Sequence, residues 1–250
     1  MMSLLMGLLW LSVSAPHIAI VVPYRNRVLH LAVFKRHIIR YFEDHHPNAT
    51  VGVWVVEQAD TRPFNRAWLA NVGFVEAMRH QPWECVCLHD VDLVPQPKVP
   101  YLTCDRPVQL GGELEHFNWR VPYYVNGGIV SMSPAHWRLI NGYSNSYVGW
   151  GGEDDDLYHR LRINDLLGPH GHIQRPPSGH GRFNVINQSK SAHPPKKMGT
   201  YAKTLKMLQD MAKNSDRWRR DGLNSLAYSK IQSHITKNII HIKVTQGDSS

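Results

Sequence analysis

The order of apolar runs along the chain constrains its fold more than any other feature. "HIAIVV" (17–22), "VGVWVVEQ" (51–58) and "WECVCLHD" (83–90) are short and rich in β-branched residues, and each ends at a proline or a polar residue. That is the pattern of buried strands. Between them, "VLHLAVFKRHIIRYFED" (28–44) and "NRAWLANVGFVEAMRH" (65–80) carry apolar residues at helical spacing. Strands alternating with helices predict βαβ units and a mainly parallel sheet, because a parallel neighbour is reached only through a long crossover. Pro23 is expected to stop the first strand. Further on, "GGIVSMS" (127–133) reads as a strand, "PAHWRLIN" (134–141) and "YAKTLKMLQDMAKN" (201–214) as helices, and "IIHIKVT" (239–245) as a terminal strand. No linker splits the sequence, so 16–250 reads as a single α/β domain.

Length and composition narrow the class. A chain of 250 residues, 42% apolar, can bury a sizeable core. Its formal charge of +8 suits acidic or phosphate-bearing partners, yet no nucleic-acid-binding motif accompanies the surplus. Residues 1–15, "MMSLLMGLLWLSVSA", are an apolar run ending in small residues. Its length fits a signal peptide or a clipped signal-anchor, so a membrane anchor at the N-terminus is one of two readings, and either leads to a secretory lumen. Two N-glycosylation triplets, at Asn48 and Asn187, agree with that compartment. Three cysteines leave at least one unpaired within the monomer. Cys85 and Cys87 share one face of a strand and are poor partners for each other. A Cys85–Cys104 bond suits an oxidising lumen, whereas three reduced thiols suit the cytosol.

In open α/β sheets, ligands sit beyond the carboxyl ends of the parallel strands. "PYRNR" follows the first strand, "EQADTRPFNR" the second, and "HDVDL" closes the third. Asp90 and Asp92, two apart on an extended chain, point the same way and repel unless a cation or donor lies close by. Mg²⁺ and Mn²⁺ take oxygen ligands and commonly join a carboxylate to phosphates. Arg25, Arg27 and Arg66 suit phosphate or ribose, and Phe64 or Tyr24 suits a base. "WGGEDDDLYHRL" (150–161) adds Glu153, Asp154, Asp155 and Asp156 in a row. Acidic residues are favoured in the first turn of a helix, and Leu157 and Leu161 would begin its apolar face. The same position suits a carboxylate general base. A diphosphate, a divalent metal, a nucleoside and a separate base together point to nucleotide-sugar chemistry.

These segments closely resemble the β-1,4-galactosyltransferase family. The matches are "PYRNR" (23–27), "FNRAWLANVGF" (64–74), "HDVDL" (89–93), "NGGIVSMS" (126–133), "INGYSNSYVGWGGEDDDLYHRL" (140–161) and "DGLNSLAY" (221–228), in the family's order. The resemblance implies the nucleotide-sugar-binding GT-A fold, a Golgi location, Mn²⁺ as cofactor, and inverting transfer of galactose from UDP-galactose to the 4-hydroxyl of an acceptor sugar such as GlcNAc, glucose or xylose. The acceptor glycan would be carried by a glycoprotein, proteoglycan or glycolipid. It implies Asp154 as catalytic base, Asp155 as acceptor ligand and Glu153 as donor-sugar ligand. Trp150 would ride on a mobile loop. Pro23, Arg25, Arg27, Phe64, Arg66 and Val91 would line the nucleotide pocket. Asp90 would touch the nucleotide, Val125 and Gly128 would belong to the donor site, and Asp92 would bind the metal. The Cys85–Cys104 pair would match a family disulfide.

Some positions depart from the family pattern. Val185 and Gln188 of "GRFNVINQSK" stand where common animal members have a Met and a His metal ligand; either the alignment slips there, or His180 or His193 substitutes, or metal binding is weakened. Val125 stands where galactose-specific members have Tyr, unless the neighbouring Tyr124 takes that place; a small aliphatic residue there admits UDP-GalNAc. Val148 replaces a family Trp. Residues 190–220 differ in length and sequence and do not specify the acceptor. A UDP-sugar-binding or glycan-binding pseudoenzyme is the alternative from another class.

Overall fold

The computed structural model describes residues 15–149, 151–186, 206–210 and 216–247. Its centre is a seven-stranded sheet that realises the expected alternation. Strand β1 (His17–Tyr24) leads through helix α1 (Val28–His45) to β2 (Thr50–Gln58), then through α2 (Arg66–His80) to β3 (Cys85–Leu88). β4 (Leu93–Pro95), β5 (Val108–Gln109), β6 (Glu113–Leu114) and β7 (Val130–Met132) precede helices α3 (Pro134–Leu139) and α4 (Glu153–Ile163). β8 (Arg182–Val185), helix α5 (Arg217–Arg220) and the hairpin of β9 (Tyr228–Thr236) and β10 (Ile239–Gln246) follow. The strand order is β5-β7-β3-β1-β2-β10-β9. The β3/β1, β1/β2 and β2/β10 pairs are parallel, and the flanking β7, β5 and β9 pair antiparallel.

Alternation along β1 divides the core between the two faces of the sheet. Ile18, Ile20 and Val22 pack with Phe34, Ile38 and Tyr41 of α1. Ala19 and Val21 pack with Trp68, Leu69 and Val72 of α2 and with Trp137, Leu157 and Leu161. Both faces are covered, so these strands read as continuous apolar runs. Each fully buried aliphatic or aromatic side chain contributes about 1.5–3 kcal/mol relative to leaving it in water.

Several expectations need correction. β1 runs through Pro23, which pairs with Val56, to Tyr24. The β3 ladder ends at Val21↔Leu88, so at Pro23 that side of β1 needs no N–H and proline is tolerated. β3 is shorter than its apolar run. A second sheet, β4-β8-β6, joins three very short strands that carry no periodic pattern. β9 is almost wholly exposed, which hides it from any reading based on burial. Of the helix expected at 201–214, residues 206–210 are described and are helical; 201–205 and 211–214 lie outside the described residues. The apolar residues 1–14 lie outside them as well, and no helix among the described residues is long and apolar enough to cross a membrane.

Candidate active site

The three strand-end segments and the acidic row converge on one cleft. Arg66, the first residue of α2, donates through Nε to Asp90 Oδ1 at 2.9 Å and through Nη2 to the Gly128 carbonyl at 2.7 Å. Its Nη1 lies 3.8 Å from Glu153 Oε1. One guanidinium therefore joins the end of β3, the turn before β7 and the start of α4. Asn65 caps α2 by accepting from the Trp68 amide at 2.9 Å, which fixes where Arg66 begins. On the other flank, Arg27 donates to Asp92 Oδ2 at 2.8 Å. Arg25 lies 5.2 Å from the Phe64 ring centroid and donates to the Arg62 carbonyl at 2.7 Å, so "PYRNR" and "RPFNR" share one wall.

The acidic row is the first turn of α4, as both the electrostatic and the catalytic readings require. Gly152, the N-cap, has φ 93°, a conformation that side chains other than glycine rarely adopt. It aims unpaired helix amides at the carboxylates. Helical rotation then separates the four acids. Glu153, Asp154 and Asp155 face the cleft. Asp156 turns inward, 3% exposed, to pair with Arg160, itself 1% exposed. Arg160 also donates to the carbonyls of Ile140, Gly142 and Trp218 at 3.3–3.4 Å. Asp156 is thus an anchor, and Leu157 and Leu161 are fully buried as expected.

Packing sets the proton affinities. Burial, then the charge of Asp154, pushes Glu153 up from 4.5 to about 7, against the pull of Arg66. Burial, then Asp155, raises Asp154, opposed by Arg66 and by amides at the helix start. Burial also raises Asp90, opposed chiefly by Arg66. An ionised carboxylate of raised proton affinity is a better base near neutral pH.

Residues outside the charged segments complete the site. A Cβ on Gly127 would sit 2.8 Å from Asp154 Oδ2, so any side chain there would push that carboxylate aside. Asn126 donates to Asp155 Oδ1 at 3.4 Å. Gln109 donates to the carbonyls of Val125 and Gly127 at 3.0 and 2.7 Å, and Arg175 donates to those of Val121, Pro122 and Val125. Arg175 is in turn held by Gln109 Oε1 at 2.8 Å. The turn bearing Val125 is therefore pinned from two sides. Val125 packs partly buried against the core, whereas Tyr124 is 79% exposed. Pro23 is buried in β1, and Val91 is 4% exposed within the core, so its side chain is not open to a ligand. Gly128 contributes its carbonyl to Arg66. Trp150 lies outside the described residues.

Oxygen chemistry at Asp92 fits a hard divalent cation, but the ligand set is thin. Among the described residues no group of three His, Cys, Asp or Glu converges on such an ion. β8 runs antiparallel to β4 with Leu93↔Val185, and the Ile186 amide donates to the Asp92 carbonyl at 2.8 Å. Val185 therefore stands next to Asp92, as expected, with a side chain that cannot ligate. His180 is exposed at the opposite end of β8, roughly 15–20 Å along an extended chain from Ile186, so it does not substitute. Gln188 and His193 lie outside the described residues. Away from the cleft, Cys85 and Cys104 form the disulfide, Cα–Cα 5.7 Å, and Cys87 is free and buried. Asn48 is exposed in the turn before β2; Asn187 lies outside the described residues.

Comparison with known proteins bears on the family and the fold. Residues 12–105 match the family model of the N-terminal region of glycosyl transferase group 7, and 109–189 match the N-terminal domain of galactosyltransferase. Mouse β-1,4-galactosyltransferase 4 is 32% identical over 91% of this chain and 62% of its own length. Human β-1,4-galactosyltransferase 5 is 34% identical over 91% of this chain and 55% of its own length. The chain thus spans less than two thirds of these relatives. The catalytic domain of Drosophila β1,4-galactosyltransferase 7, solved with xylobiose, superposes with TM-score 0.72 at 24% identity, covering 93% of this chain and 95% of that one. A mutant of the same enzyme, in complex with manganese, UDP-Gal and xylobiose, gives 0.70. Both share this GT-A fold.

Proposed function

The chain belongs to the β-1,4-galactosyltransferase family, and from that membership we propose that it is an inverting glycosyltransferase moving galactose from UDP-galactose to the 4-hydroxyl of an acceptor sugar. The observation that carries the reading is Arg66, which ties Asp90 on the nucleotide side to Glu153 at the head of the acidic row. In a single displacement, the acceptor oxygen attacks C1 of the sugar while Asp154 accepts its proton. The bond from C1 to the diphosphate oxygen breaks, and UDP departs with the bonding pair, leaving the anomeric carbon inverted. Arg27 and Arg25 would bind phosphate and ribose, and Phe64 the base. Asp155, steadied by Asn126, would hold the acceptor, and Glu153 a donor-sugar hydroxyl. Mn²⁺ held by Asp92 would supply positive charge to the leaving diphosphate.

Particular residues bear on the donor and the compartment. Val125 supports a second reading, UDP-GalNAc as donor: a small aliphatic side chain leaves space for an N-acetyl group, and the exposed Tyr124 does not refill it. The disulfide supports a lumenal compartment such as the Golgi. The acceptor would be GlcNAc, glucose or xylose on a glycoprotein, proteoglycan or glycolipid.

The test is a donor-by-acceptor screen: UDP-galactose or UDP-GalNAc against GlcNAc, glucose and xylose glycosides, with Mn²⁺ or EDTA. Transfer by wild type, none by Asp154→Asn, and retained UDP binding in the mutant are expected. UDP binding without transfer to any acceptor would identify a pseudoenzyme. Asp92→Ala is expected to lose Mn²⁺-dependent UDP binding; unchanged dependence would mean the metal is held elsewhere.

A further inference from the structure

His89, the first residue of "HDVDL", has been given no function. His89 is fully buried, and both of its ring nitrogens are engaged. Nδ1 lies 2.8 Å from the Asp90 carbonyl oxygen, and Nε2 lies 2.7 Å from the Tyr101 hydroxyl. A carbonyl only accepts, so Nδ1 carries the hydrogen. Nε2 then holds a lone pair, and Tyr101, also fully buried, must donate to it. The relay has a single direction: Tyr101 hydroxyl to His89, and His89 to the Asp90 peptide. Phe34 at 5.0 Å and Phe183 at 5.7 Å wall the imidazole in, and Tyr101 stacks on it at 5.9 Å.

The turn that this relay holds carries two like charges two residues apart. The His89 amide donates to the Val21 carbonyl at 2.8 Å. The Asp90 carbonyl accepts a second bond from the Leu93 amide at 3.4 Å, and that of Asp92 accepts from Ile186 at 2.8 Å. With these peptide planes fixed, the carboxylates of Asp90 and Asp92 project to Arg66 and Arg27. Tyr101 is itself tethered, lying in the loop that Cys85–Cys104 closes and two residues beyond Val99, whose carbonyl accepts from Tyr41 at 2.6 Å.

We propose that His89 and Tyr101 are positioning residues for the Asp90–Asp92 turn, holding its carboxylates where a divalent cation and a nucleoside diphosphate are to be bound. The proposal rests on the glycosyltransferase reading of the cleft. It deepens that reading, since it assigns work to two side chains that touch neither ligand. Residues of this outer layer commonly alter metal affinity by about 10- to 100-fold when changed.

Two measurements test it. Long-range ¹H–¹⁵N spectra of the ligand-free protein report the tautomer; Nδ1–H with an unprotonated Nε2 is expected, and the reverse overturns the relay. Calorimetry of UDP binding in Mn²⁺ then compares wild type, Tyr101→Phe and His89→Gln. Tyr101→Phe is the informative variant because it removes one hydroxyl and little volume. About a tenfold rise in the Mn²⁺ concentration that half-saturates UDP binding is expected, with the acceptor KM unchanged. A Tyr101→Phe protein that melts earlier yet binds Mn²⁺ and UDP like wild type would reduce the pair to structural filler and overturn the positioning role. If wild type fails to bind UDP at all, the glycosyltransferase reading falls, and this proposal with it.

Discussion

Glu153→Gln should make the ligand-free protein more stable, and increasingly so as pH rises. In the fold Glu153 titrates at about 7 instead of 4.5, because burial and Asp154 oppose its charge more than Arg66 supports it. Its side chain is only 16% exposed, so solvent relieves little of this. A carboxylate whose folded value is raised binds its proton more tightly when folded. The associated stability is therefore fully present below about 4.5, declines as pH rises, and is gone above about 7. At ~1.36 kcal/mol per pH unit, the loss reaches at most ~3 kcal/mol. Glutamine has the same shape and no charge to bury, and Arg66 keeps Asp90 and the Gly128 carbonyl. Urea denaturation of both proteins from pH 4.5 to 8 measures the effect. The curves should meet at the acid end and separate by ~2–3 kcal/mol at pH 8, or about 4–12 °C in Tm. A mutant equal to or less stable than wild type at pH 8 would refute the claim that burial and Asp154 oppose the Glu153 charge more than Arg66 supports it.

Three other outcomes follow from the geometry. Gly127→Ala forces the Asp154 carboxylate aside, so kcat should fall roughly 10- to 100-fold with Tm nearly unchanged; unaltered kcat would detach Asp154 from the reacting centre. Arg160→Met strands the buried Asp156 and should cost about 3–5 kcal/mol in urea denaturation, much of it recovered in the double variant with Asp156→Leu. Transfer should decline as pH drops through the raised value of Asp154, because a protonated base cannot accept the acceptor's proton; a rate–pH profile lacking that acidic limb would exclude it as the base.

Much of this was legible in the sequence, for identifiable reasons. Strands β1, β2 and β3 are buried on both faces, and such strands announce themselves as uninterrupted apolar runs. β9 has solvent on both faces, so Ile231 and Ile235 among polar neighbours gave no contrast. In the site, the acidic row and the aspartate pair were visible because their charge density is unusual. The division of labour within the row was not, although Arg160, four residues beyond Asp156, is a spacing that favours a pair on one helix face. Gln109 and Arg175 act on a turn 16 to 54 residues away, a distance over which no local pattern survives. His180 looked usable as a ligand until the direction of β8 put it at the wrong end.

Because Arg160, Leu157 and Leu161 fasten one side of α4 to the interior, the angular setting of the acids ahead of them is inherited from that attachment. Each helical residue advances the chain by about 100°. Adding or deleting one amino acid between Asp154 and Arg160 would swing Glu153 and Asp154 a quarter-turn or more out of the cleft while leaving the composition of the segment almost untouched. Lengthening the chain before Gly152 leaves that angular relation intact, although Tyr143, Ser144 and Tyr147 just upstream are themselves buried. The octad from Glu153 to Arg160 therefore tolerates exchange of side chains more readily than any change in length.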